Sequence, residues 1–194
     1  MKTTQARQEK PARANKVSYR TGEEMHYSVG AIIARRDEYL LIDRVKPPYG
    51  FAGIAGHVEE GESPEEAVRR EVWEESGLEV TTLRLVAEGR LENNICSRGV
   101  RTHYWHVYAC ETKGELVFNA AETKSLGWHA RDAIAALPLE PAWRHWFERT
   151  GVIPDEQGES LGSKESKRES GQSAYLPPGT VHHQILKGYF TSRE

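Results

Sequence analysis

The sequence predicts one mixed α/β (α+β) domain of about 130 residues inside a longer chain, with polar extensions at both ends. Three observations carry this. Short apolar runs of strand length recur between residues 27 and 128, a single helix is written between Pro64 and Ser76 with its own start and stop signals, and beyond Ile153 the composition turns to Gly, Ser, Glu and Lys. Periodicity by itself says no more than α/β or α+β.

Taken in order, residues 1–20 place Lys2, Arg7, Lys10, Arg13, Lys16 and Arg20 against Glu9 alone, and residues 1–23 read as a flexible basic arm. Regular structure is expected to begin near His26. Tyr27–Ala34 and Tyr39–Asp43 flank Arg35-Arg36-Asp37-Glu38 and read as a hairpin, while the glycine-rich stretch Gly50–Val58 reads as extended. Ser63 is an N-cap, Pro64 suits the first helical position, and Glu66 completes a capping box; Gly77 supplies the left-handed residue that ends the helix. Strand-like runs follow at Val80–Leu91, Arg101–Cys110, Glu115–Phe118 and Ser125–Trp128, and helical ones at Ala130–Leu137 and Pro141–Thr150. The domain is therefore expected over 24–152, a linker over 153–173, and a tail over 174–194 that regains Tyr175, Leu176, Ile185, Leu186, Tyr189 and Phe190. That tail can dock on the domain, on a second copy in a homodimer, or on nothing.

Of the 194 residues, 38% are hydrophobic and 28% charged, and the net charge is −3, which gives no general drive toward nucleic acid or an anionic membrane. No apolar run approaches the ~18 residues that span a bilayer, and the N-terminus has no signal-peptide stretch. Cys96 and Cys110 form no CxxC, so a reduced, cytoplasmic setting is expected, with both thiols as packing groups. His103 and His106 have HxxH spacing, but on a strand residues three apart point to opposite faces, which argues against a zinc shared between them. His182-His183 has no Cys or carboxylate cluster beside it in the sequence and is not expected to hold zinc.

The chemistry concentrates in Gly56–Leu78, GHVEEGESPEEAVRREVWEESGL, which holds eight glutamates: Glu59, Glu60, Glu62, Glu65, Glu66, Glu71, Glu74 and Glu75. At ~100° per residue, Glu71, Glu74 and Glu75 fall within one arc beside Ala67 and Val68, while Glu65, Glu66, Arg69 and Trp73 project to the other side. A charge run is ordinarily a solvated face, but these three carboxylates border the apolar stripe. Glu71 and Glu75, four apart, repel by ~0.2–0.5 kcal/mol in an isolated helix. A divalent cation reverses that sign, and an all-oxygen set suits Mg²⁺, with Mn²⁺ as a substitute.

The spacing of this segment, Gly56, then Glu62, then Arg70-Glu71-Val72-x-Glu74-Glu75-x-Gly77-Leu78, matches every fixed position of the Nudix box, and the chain resembles the Nudix hydrolases. The resemblance implies an α/β/α sandwich with a mixed β-sheet and hydrolysis of a phosphoanhydride bond in a nucleoside diphosphate derivative. Carried over by position, it implies Glu71, Glu74 and Glu75 as metal ligands with the Gly56 carbonyl, Arg70 as the arginine that orients a box glutamate, and Glu62 as a positioning carboxylate. Gly56 and Gly77 are expected to adopt backbone conformations that a side chain penalises. The proton acceptor is then Glu71 or a carboxylate of a later loop, for which Glu122 is the candidate. In place of the Pro-Gly-Gly common before the box, this chain has Ile54-Ala55-Gly56-His57, and His57 is expected either to touch a phosphate or, as the favoured reading, to face solvent.

The proline markers of ADP-ribose- and NADH-cleaving relatives are absent, since no proline occurs between Pro64 and Pro138, and the tyrosine marker of dinucleoside-polyphosphate relatives is absent too, since the first tyrosine after the box is Tyr104. A small nucleotide such as a nucleoside triphosphate is what remains. Phe51 and Tyr104, with Tyr49, Trp105 and Tyr108, are candidates to stack on a base, and Arg44 and Arg101, with Lys46, to contact phosphate. The alternatives are a sensing module that binds a nucleotide without turnover, and an enzyme for a capped RNA 5′ end. The first ordinarily lacks a box glutamate, and the second needs a basic face.

Overall fold

The computed structural model describes residues 16–18, 24–117 and 123–155. The linker and tail expected beyond Ile153 lie outside these residues except for 153–155, as does Glu122. Among the described residues are eight strands and three helices: β1 (Lys16–Ser18), β2 (Glu24–Arg35), β3 (Glu38–Arg44), β4 (Phe51–Ala52), β5 (Ile54–His57), α1 (Pro64–Ser76), β6 (Glu79–Leu91), β7 (Thr102–Lys113), β8 (Thr123–Ala130), α2 (Arg131–Ile134) and α3 (Pro141–Arg149). β2 is the hub. It pairs antiparallel with β1, β3 and β5 and parallel with β7, which in turn pairs antiparallel with β6; β3 pairs with β4 and β8.

The strand β2 is apolar throughout its middle because both faces are covered. Val29, Ala31 and Ile33 join Ala67, Val68 and Val72 of α1 in one cluster, whereas Ile32 joins Trp143, Trp146 and Phe147 of α3 in the other. A strand buried on both sides reads as a continuous apolar run, as this one does. The two clusters make the layers helix, sheet, helix, the sandwich that the sequence led us to expect.

The helix α1 has the predicted bounds. The Ser63 hydroxyl accepts the Glu66 N–H while the Glu66 carboxylate accepts the Ser63 N–H, and Gly77 closes the helix at φ 71° with its N–H donated to Trp73. In α3 the buried Glu140 takes the capping place, accepting the Trp143 N–H at 3.0 Å, and Trp143, Trp146 and Phe147 occupy one stripe at three- and four-residue spacing. Trp143 is 1% exposed and packs on Trp105. Trp143→Ala is expected to cost about 3–5 kcal/mol, measured as a lowered midpoint in urea.

Three expectations need correcting. Lys16–Ser18, inside the segment read as an arm, pairs with Glu24–His26 as a strand. Residues 115–117, expected in a strand at Glu115–Phe118, have no regular structure; Val117 is tied instead by its N–H to the Ser76 carbonyl, past the end of α1. The helix expected at Ala130–Leu137 is α-helical only over Arg131–Ile134, because β8 runs through Ala130 and Pro138 bars continuation.

Candidate active site

Arg70 organises the box. Its guanidinium forks onto Glu62, with Nε to Oε1 at 2.9 Å and Nη2 to Oε2 at 3.0 Å, while Nη1 donates to Glu71 Oε1 at 2.7 Å and to Glu74 Oε2 at 3.2 Å. Nη2 also donates to the His57 carbonyl at 3.0 Å. All five N–H donors of the group are thus used, a geometry that the planar fork of arginine supplies and the point charge of lysine does not. Burial acts to raise the Glu62 carboxyl, but hydrogen bonds from Arg70 and the Glu59 N–H outweigh it and hold the pKa below normal. For Glu71 burial wins: its carboxyl is raised despite Arg70, with Glu74 and Glu62 adding to the shift.

Gly56 lies in β5, and its role is space. A Cβ placed there would stand 1.8 Å from Glu71 Oε1, so the glycine is what lets a carboxylate of α1 rest on the strand backbone. That corrects the expectation of an unusual backbone conformation at Gly56. Gly56→Ala is expected to displace Glu71 and, where the box carboxylates hold a divalent cation, to raise the cation concentration needed for half-saturation by ~10-fold or more, read from a metal-binding titration.

Strand alternation places the neighbours of Gly56 on the opposite face of the sheet. Ala55 packs against the α3 cluster, and His57 sits edge-on to His26 with ring centroids 4.9 Å apart. His57 therefore does not face solvent as expected: burial, together with His26, Arg98, His103 and Arg44 nearby, lowers its pKa to about 3. Burial and His26 likewise lower His103 to about 4, a small contribution from the Asn94 backbone opposing them. Both rings are neutral at pH 7. His103 and His106 do fall on opposite faces, His106 standing with Tyr27 and Tyr104.

A cleft of about 260 Å³ spans β5. Glu71, Glu75 and Gly56 line it together with Arg44, Lys46 and Arg98, so carboxylates and cations share one cavity. The buried Arg44 Nε has no hydrogen-bond partner. Glu140, whose carboxyl is raised by burial against the N–H groups of Trp143 and Ala142 and the charge of Arg44, also lines the cleft.

Among the sequence candidates, Arg44, Lys46, Gly56, Glu71, Glu75, His57 and Trp105 line this cleft. Arg70 and Glu74 adjoin it through the ion-pair network, with Glu74 half exposed. Phe51, Arg101 and Tyr104 are not among its lining residues. Phe51 packs on His129, Tyr104 packs on Tyr27 on the other face of the sheet, and Arg101 is exposed past the turn that enters β7. Tyr108 also points to α1, where its hydroxyl donates to Glu65. Sequence reasoning passed over His26, Asn94, Arg98 and Glu140 and read Cys96 as a packing thiol; each is brought to the cleft or its wall by pairing or loop closure, and no local motif marks them.

A sandwich of this topology carrying a capped helix of Arg-bridged glutamates against a glycine strand defines the class of Nudix pyrophosphohydrolases. The NUDIX domain family model matches residues 24–149, and the chain belongs to that family. It is 35% identical over 107 residues to the NAD-capped RNA hydrolase NudC of Citrobacter koseri, covering 55% of this chain and 39% of that protein. The chain thus spans less than half the length of the curated relatives it matches. The crystal structure of the MutT NUDIX hydrolase from Burkholderia pseudomallei superposes with a TM-score of 0.59 at 28% identity, covering 66% of this chain and 98% of that one. The MutT protein of Bacillus halodurans gives 0.54 at 26%, covering 66% and 82%. Among the described residues no helix is long and apolar enough to cross a membrane.

Proposed function

We propose that this protein is a Mg²⁺-dependent hydrolase of a phosphoanhydride bond in a nucleoside diphosphate derivative. The observation that carries the reading is the sharing of one cleft by Glu71 and Glu75 on one side and Arg44, Lys46 and Arg98 on another. The oxygen-only donor set of Glu71, Glu74, Glu75 and the Gly56 carbonyl suits Mg²⁺ or Mn²⁺, and the missing side chain at Gly56 lets the Glu71 carboxylate lie against the strand backbone. A bound cation there supplies neutralisation of charge at the pyrophosphate oxygens and activation of water. Arg44 binds phosphate through a guanidinium that the protein leaves partly unsatisfied. Arg70 holds Glu71 and Glu74 in place, and Glu71, made more basic by burial, accepts the proton of the attacking water. Glu122 is the alternative acceptor.

For substrate, a small nucleotide such as a nucleoside triphosphate fits the absence of the proline and tyrosine markers. A second reading, a pyrophosphate within a dinucleotide or at the 5′ end of an RNA, is favoured by the relatives named NAD-capped RNA hydrolase. The test is a panel assayed with Mg²⁺ for wild type and Glu75→Gln: nucleoside triphosphates, NDP-sugars, ADP-ribose, NADH, coenzyme A, dinucleoside polyphosphates and NAD-capped RNA. We expect metal-dependent turnover of one class, reduced ~10²-fold or more in the variant. Binding of a nucleotide with no turnover of any compound would instead establish the sensing module.

A further inference from the structure

Three neighbouring strands each present a histidine to the same face of the sheet: His26 from β2, His103 directly beside it in the parallel register with β7, and His57 from β5. Their rings form a triangle, with centroid separations of 4.9, 5.5 and 5.6 Å. The turn between β6 and β7 then folds Cys96 over them, its Sγ 3.7 Å from His26 Nδ1. That turn is held by Asn94 N–H to the Arg101 carbonyl, Cys96 N–H to the Val100 carbonyl, and Trp105 Nε1 to Asn94 Oδ1. One ligand atom from each of the four residues lies within 4.8 Å of every other.

We propose that His26, His57, Cys96 and His103 form a tetrahedral Zn²⁺ site, separate from the carboxylates of the box. With Zn–N near 2.0–2.1 Å and Zn–S near 2.3 Å, tetrahedral ligand atoms stand ~3.3–3.6 Å apart. The sulfur and Nδ1 already have nearly this spacing, and the widest pair closes by shifts of about 1 Å shared among side-chain rotations. Packing alone explains the arrangement poorly. His103 is 1% exposed, and its two ring nitrogens have no partner beyond a marginal one in the Asn94 backbone, a costly way to fill a core position that a phenylalanine would fill without penalty. Imidazole and thiolate suit zinc and repel the claim of Mg²⁺, so the two sites sort their ions by donor chemistry. Four protein ligands leave no open position, which assigns the ion a structural role: it clamps the 92–101 turn, with Asn94, Ser97 and Arg98, onto β5, β2 and β7 as one wall of the cleft.

The test uses the full chain, stripped with chelator and titrated with Co²⁺. Tetrahedral Co²⁺ gives strong visible bands, and a cysteine ligand adds thiolate-to-cobalt charge transfer in the near ultraviolet; both are expected to saturate at one equivalent, to vanish on adding Zn²⁺ and to survive excess Mg²⁺. Cys96→Ser should abolish the charge transfer, and His103→Gln should weaken Co²⁺ binding by more than the ~10–100-fold that loss of a supporting partner costs. Cys110→Ser, on the α1 side of the sheet, and Glu74→Gln should leave the spectrum unchanged. Circular dichroism establishes that each variant is folded, and His103→Gln serves if Cys96→Ser is not. Weak octahedral bands alone in wild type, or charge transfer persisting in Cys96→Ser, would overturn the site. None of these readouts uses hydrolysis, so failure here leaves the proposed activity standing.

Discussion

Replacing Glu71 by glutamine is expected to lower kcat by ~10²–10⁴-fold while raising the thermal midpoint of the metal-free protein at neutral pH. The two effects share a cause. Glu71 rests on the backbone of Gly56, where burial, with the charges of Glu74 and Glu62 adding to it, raises its carboxyl despite Arg70. A group whose folded pKa is raised lends stability that is complete below its ordinary value of 4.5 and is lost as pH rises through the folded value. Glutamine keeps an acceptor for Arg70 and removes that loss, so the gain in midpoint over wild type should grow from acid to neutral pH. Saturating Mg²⁺ should reverse the order, because it stabilises only the protein that binds it. Melting curves of both proteins from pH 4 to pH 8, with and without Mg²⁺, measure this. An unfolded variant would show instead that the carboxylate is structural.

Arg70→Ala is expected to destabilise the domain by about 3 kcal/mol and to remove most activity, with Arg70→Lys falling between the variant and wild type. Alanine strands Glu62 and Glu71, whose side chains are 16% and 14% exposed, without the cation they share. The pH signature differs from that of Glu71. Glu62 is held below its ordinary pKa, so its contribution is present above that value and is lost as pH falls through the folded one. In Arg70→Ala that acid-side loss should flatten. Chemical denaturation at several pH values reads it, and a midpoint unchanged from wild type would show that the fork contributes no stability.

The parts of the molecule legible in the sequence are those whose physics is local. Ser63, Pro64, Glu66 and Gly77 bound α1 because capping is decided within four residues, and the 3.6-residue period alone brings Glu71 and Glu75 to one side. The turn around Arg36, which sets Ala34 opposite Tyr39 and Arg35 opposite Glu38, was legible for the same reason, although beyond these two pairs β3 pairs with β8 and β2 with β5. What was not legible is which face each strand residue serves. Alternation says that Tyr104 and Trp105 point oppositely, but only the packing of α3 decides that Trp105 meets the cleft while Tyr104 meets Tyr27. On β2 even the alternation is hidden, since both faces are apolar.

By itself, then, the sequence determined a capped helix, an ordered row of carboxylates with Arg70 among them, and through their spacing the family. These depend on short separations along the chain and survive any arrangement of the rest. The tertiary structure decided that Gly56 and Glu71 touch, that Arg44 and Arg98 face the carboxylates, and that His26, His57, Cys96 and His103 meet. The last four lie on three strands and a turn spread over 78 sequence positions, 26 to 103, and they converge only because β2 pairs with β5 on one side and with β7, in parallel, on the other.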